Sequence, residues 1–83
     1  MTRAGRPIEL TPKEFAVLRF LAARSPEVVR RDAILKEIWG YDSEVTTRTV
    51  DNHVASLRAK LEQDSRNPQH LLTVHGVGYK WMP

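Results

Sequence analysis

At 83 residues the chain has the size of one domain with a modest core, near the lower end for a fold without staples. It contains no cysteine, which removes disulfides and thiolate metal sites and fits a reducing, cytoplasmic setting. Its longest apolar runs are a few residues, too short to span a membrane, the opening MTRAGRP lacks a signal-peptide core, and the net charge of +3 leans only mildly toward polyanions.

In chain order, Pro7-Ile8-Glu9-Leu10 alternates briefly and predicts a short strand. Thr11-Pro12-Lys13-Glu14 is a helix start, with threonine as N-cap, proline at the first helical position and glutamate closing a capping box. Phe15, Leu18, Leu21 and Ala22 form the apolar stripe of a first helix that runs to about Arg24 and ends at Ser25-Pro26. A second helix from about Arg31 to Trp39 buries Ile34, Leu35, Ile38 and part of Trp39 before Gly40 stops it. A loop from Tyr41 to Val45 leads to a third helix, predicted over 46–62. The polar run Asp64 to Gln69, with Asn67-Pro68, is a further loop. Leu71–Val74 and Tyr79–Trp81 are β-prone and flank His75-Gly76-Val77-Gly78, a hairpin with two glycines available for positive φ.

The third helix is the most informative segment. Val50, Val54, Leu57 and Leu61 recur as one apolar stripe. Thr49, Asn52, Ser56 and Ala59 are expected on roughly the opposite side, with Arg48, His53, Arg58 and Lys60 toward its flanks. Small side chains let a helix approach base edges and cations can meet phosphate, but an ordinary solvated face has the same composition. The helix alone leaves both readings open. Three helices followed by a hairpin form a mainly α fold with a small β component, the winged helix-turn-helix. In that arrangement the third helix enters the major groove and the hairpin tip reaches backbone or minor groove.

Charge is distributed unevenly. Residues 1–31 carry seven Arg or Lys against three Glu, whereas residues 32–45 carry one Lys against four carboxylates. Residues 46–60 set Arg48, Arg58 and Lys60 against Asp51, and residues 61–83 balance two cations with two anions. The acidic stretch ahead of the third helix is suited to solvent or another protein rather than phosphate.

The segments LTPKEF (10–15), Trp39-Gly40, RTVDNHVASLRAKLE (48–62) and TVHGVGY (73–79) resemble the DNA-binding output domain of OmpR/PhoB-type response regulators, over roughly residues 7–82. The resemblance implies a winged-helix transcription factor of a bacterial two-component system, normally preceded by a receiver domain with a phosphorylatable Asp. It implies that 1–83 is one DNA-binding domain, cut from a longer regulator. Its N-terminal sheet would be largely missing, with only a strand around Ile8 to Leu10 left, and apolar surface near the first helix would be uncovered. Tandem dimers on direct-repeat half-sites of double-stranded DNA are the family's usual binding mode.

By the family pattern, the positions matching phosphate contacts are Trp39, Arg48, Thr49, His53 and Arg58. Base or groove contacts correspond to Asn52, Ala55 and Ser56, with His75 on the wing. Asp42 and Glu44 lie in the acidic loop that in relatives can touch RNA polymerase. Ala55, Ser56 and His75 stand where relatives often carry arginine, which shifts direct readout to Asn52 and Ser56. Asparagine can pair bidentately with adenine, a discrimination of roughly 1–3 kcal/mol.

Other readings compete for the same residues. Trp39 suits a core rim as well as a phosphate contact through its indole N–H. Asp51 is expected to pair with a nearby arginine, Arg31 in particular, and Arg58 suits either such a pair or phosphate. His53, His70 and His75 lack metal-ligand spacing, so no metal or other cofactor is expected. Tyr79 and Trp81 suit packing at the wing root. No nucleophile–base set, paired carboxylates or phosphate-cradling glycine loop points to an enzyme. The main rival is a winged helix used as a protein-interaction module, contacting polymerase through the 41–45 loop.

Overall fold

The computed structural model describes residues 2–3, 6–40, 44–64 and 66–83. Helix α1 spans Pro12–Ala23. Thr11 caps it as expected: its Oγ1 accepts the Glu14 N–H at 3.1 Å, and Glu14 Oε1 accepts the Thr11 N–H at 2.8 Å. The buried face is Glu14, Val17, Leu18 and Leu21, which corrects the predicted stripe. Phe15 is 51% exposed and Ala22 is exposed. The two stripes share Leu18 and Leu21, and their centres differ by roughly 60°, less than the 100° step of one residue. The periodicity favoured Phe15 because the position rotated inward holds a carboxylate.

Helix α2 (Arg31–Trp39) buries Ile34 completely and leaves Leu35, Ile38 and Trp39 packed at the core margin. Gly40, at φ 71°, ends it, its N–H bonding the Lys36 carbonyl at 2.9 Å. The loop residues Tyr41, Asp42 and Ser43 lie outside the described residues. Helix α3 (Thr47–Leu61) lies against both earlier helices, with Val50, Val54 and Leu57 fully buried.

The strands are β1 (Thr2–Arg3), β2 (Arg6–Pro7), β3 (Val29–Arg30), β4 (Leu71–Val74) and β5 (Gly78–Trp81). β1 and β2 pair antiparallel with each other. The expected strand around Ile8 to Leu10 is not formed. Ile8 and Leu10 are half-buried around exposed Glu9, and Leu10 packs on the helical core, so their alternation reflects burial without a ladder. β4 and β5 form the expected hairpin, in register from Leu71↔Trp81 to Val74↔Gly78. Its loop is His75-Gly76-Val77, with Gly76 at φ 80° and the Val77 N–H bonding the Val74 carbonyl at 3.0 Å. β3 adds a third strand that the sequence did not announce, pairing Val29 with Tyr79 and Arg30 with Gly78. Gly78 serves that pairing rather than a positive φ: a Cβ there would collide with the Val29 carbonyl and lie 2.9 Å from Arg30 Cα.

Candidate nucleic-acid interface

Around α3 the 100° step per residue separates three faces. Opposite the buried valines and leucine, Arg48, Asn52, Ala55 and Ala59 form an exposed ridge. Thr49, His53, Ser56 and Lys60 occupy one flank, half-buried toward α1 and Trp39. Asp51 and Arg58 occupy the other flank, toward the hairpin. The ridge differs from the predicted one: Arg48 and Ala55 move onto it, and Thr49 and Ser56 move off.

Ser56 moves for a chemical reason. Its hydroxyl donates to Glu14 Oε2, and Lys60 Nζ donates to Glu14 Oε1 at 2.6 Å. Burial alone would raise the Glu14 pKa. The bonds from Lys60 and Ser56, the Thr11 N–H and the Lys60 charge outweigh it and lower the carboxyl to about 2. A buried anion shared by α1 and α3 therefore takes up the Ser56 hydroxyl, and Ala55 fronts the open side in its place.

On the same flank His53 Nδ1 lies 2.8 Å from the Thr49 carbonyl, and its ring meets Trp39 edge to face at 4.9 Å. Lys13 Nζ sits 5.5 Å above the Trp39 ring and donates to the Ile38 carbonyl at 3.0 Å. Trp39 is half-buried at this junction of α1, α2 and α3.

On the wing flank Asp51 accepts both Nε (2.9 Å) and Nη2 of Arg31, and the Tyr79 hydroxyl at 2.7 Å. The Arg31 pairing matches the sequence reading. Burial opposes ionisation of Asp51, but these donors pull its carboxyl below the usual range. Burial, followed by the bond to Asp51, pushes the Tyr79 phenol up to about 12. Arg58 donates through Nε to the Leu71 carbonyl at 3.0 Å and through Nη2 to Thr73 Oγ1, with its guanidinium 5.5 Å from the Tyr79 ring centre. It is committed in large part to joining α3 to the hairpin. Tyr79 is 7% exposed and Trp81 packs at the core margin, which places both at the wing root.

His75 and Gly76 are exposed at the wing tip. Glu44 is exposed ahead of α3, while Asp42 lies outside the described residues. The sequence reading missed Glu14 as the shared partner of Ser56 and Lys60, and Thr73 as a partner of Arg58. Glu14 could have been suspected from its capping-box place beside an apolar stripe. The contacts to Ser56 and Lys60 span more than forty positions and have no local signal.

Residues 5–81 match the family described as transcriptional regulatory protein, C terminal. The DNA-binding response regulator MtrA of Mycolicibacterium smegmatis is 51% identical over all 83 residues, which span 36% of that protein. Response regulator DrrB, a Thermotoga maritima OmpR/PhoB homologue, superimposes with a TM-score of 0.87 at 37% identity, covering 95% of this chain and 36% of that one. The Klebsiella pneumoniae RstA DNA-binding domain, solved in complex with the RstA box, gives 0.80 at 31% identity, covering 93% and 76%. With its three helices, three-stranded sheet and α3 ridge, this chain belongs to that C-terminal family of transcriptional regulatory proteins, as a winged-helix domain of OmpR/PhoB type.

Proposed function

We propose that this chain, as the DNA-binding output domain of a two-component regulator, lays α3 in the major groove of double-stranded DNA. The β4–β5 wing then lies beside it against backbone or minor groove. The observation that carries this reading is the α3 ridge: Arg48, Asn52, Ala55 and Ala59 face outward without a carboxylate among them, while Asp51 and Glu14 are turned aside into internal bonds. Small side chains permit close approach to base edges, and Asn52 is the group on the ridge able to pair bidentately with adenine. Arg48 and Thr49 at the start of the helix, with Trp39 and His53 beside them, meet phosphate, while Arg58 holds the wing and lends its remaining charge to the backbone. Ser56 acts through Glu14 rather than on a base. His75 supplies the wing's groove contact.

On this reading the domain is the output part of a longer cytoplasmic regulator, and two copies occupy direct-repeat half-sites. The acidic 41–45 segment is the one offered to RNA polymerase, through Glu44, exposed ahead of α3, and Asp42, which lies outside the described residues. A gel shift with genomic fragments at several salt concentrations tests the reading. Fragment-selective retention that falls steeply with salt is expected; a protein-binding module gives neither. Arg48→Ala should weaken binding to all sequences alike and lower the salt slope by about one unit, whereas Asn52→Ala should change sequence preference. Parent-like binding by both variants would refute the placement of α3.

A further inference from the structure

Residues 61–83 are electrically balanced in sequence, with Arg66 and Lys80 against Glu62 and Asp64. The fold separates those charges. Glu62 is 3% exposed and turns inward, its carboxylate accepting the backbone N–H groups of Gln69 (3.1 Å), His70 (3.0 Å) and Leu71 (2.8 Å). Asp64 is spent on the Arg66 backbone N–H at 3.0 Å. Both acids therefore accept backbone N–H groups of residues 66 and 69–71. Arg66 and Lys80 line one concavity together with Arg58, Thr73 and His75, over the hairpin face that carries Leu72 and Val74. Among the described residues no carboxylate lines it, and neither Arg66 nor Lys80 makes an ion pair.

We infer that this outer face of the wing is a second phosphate-binding shelf, which engages duplex backbone beyond the segment contacted by α3. The inference rests on the proposed DNA-binding function and extends its footprint past the wing. Three observations select a nucleic-acid backbone as occupant. The shelf is continuous with the reading side of the domain, because Arg58 and Thr73 join α3 to β4 and His75 stands at the wing tip. Among the described residues neither Arg66 nor Lys80 is held in an ion pair, so both can exchange counterions for phosphate, and that release drives association with a polyanion. The three bonds to Glu62 also tie down the loop carrying Arg66, which lowers the entropy lost when it binds. The half-buried Lys80 stem, opposite Leu72 in the ladder, leaves only its ammonium to reach outward.

The test is fluorescence anisotropy of two duplexes across a salt series: one trimmed to the selected half-site, the other extended by roughly 10 bp, one helical turn, on the wing side. The parent chain should show a steeper salt slope on the extended duplex. In the double variant Arg66→Gln/Lys80→Gln the slope on that duplex should fall by about 2, near 0.9 per lost phosphate contact. Binding to the trimmed duplex should not change. Melting curves verify that the variant is folded. An unchanged slope on the extended duplex would overturn the inference, as would an equal loss on both duplexes. Self-association in sedimentation that this variant abolishes, with DNA slopes unaltered, would also overturn it and assign the shelf to an acidic protein surface. If the parent showed no sequence preference, the α3 reading would fail by itself. The shelf would still be judged by the same slope comparison on random-sequence duplexes of the two lengths.

Discussion

Glu14 closes the capping box of α1 and accepts Ser56 and Lys60 of α3, so one side chain sets both the start of a helix and its distance from another. Its carboxyl is lowered to about 2 against an ordinary 4.5. A depressed folded-state pKa means that the stabilisation is complete above about 4.5 and disappears as pH falls toward 2. Glu14→Gln should therefore lose about 1–3 kcal/mol at neutral pH, the scale of a charge-assisted hydrogen bond. Thermal melts at pH 7, 4 and 2.5 should show the gap between variant and parent closing with acid. A constant gap would mean that packing, not charge, accounts for the loss. Asp51 works similarly on the other flank, where Arg31 and Tyr79 draw one carboxylate away from the outward ridge. Charges that look available in the sequence are thus consumed in pairs. What remains facing out is Arg48 and a row of small side chains.

At the level of elements, α3 is held by residues that are wholly buried, and α1 leaves Phe15 outside its buried face. Leu57→Ala should cost about 2–5 kcal/mol through the cavity it leaves. Phe15→Ser, at a position 51% exposed, should stay within about 0.5 kcal/mol. Urea unfolding separates the two directly: a large effect at Phe15 would restore it to the core. The wing is likewise more than a hairpin. β3 pins β5 from the other side, and Gly78 is required because the Val29 carbonyl lies where a side chain would begin. Ser25 adds a bond from the end of α1 to the Trp81 carbonyl at 2.6 Å, so the wing root is attached to the helical body as well as to its own strands.

At the scale of the molecule, the chain has a Cα radius of gyration of 12.3 Å, and one concavity joins Arg58 of α3 to His75 at the wing tip and to Arg66 and Lys80. The proposed tandem arrangement puts one domain on each half-site. In sedimentation velocity the isolated chain should bind a single half-site one to one and a direct repeat two to one. One-to-one saturation of the repeat would remove the tandem arrangement. The three helices, their ends and the hairpin were legible in the sequence because caps, breakers and apolar periodicity act over a few neighbouring residues. The outline of the reading helix followed from the same local rules. Three things needed the tertiary structure: the strand β3, the rotation of α1 that buries Glu14 in place of Phe15, and the exchange of Ser56 for Ala55 on the open ridge. Each depends on a partner distant along the chain: Tyr79 for Val29, Ser56 and Lys60 for Glu14. A periodic pattern records which residues avoid water, but not which polar groups have found one another inside.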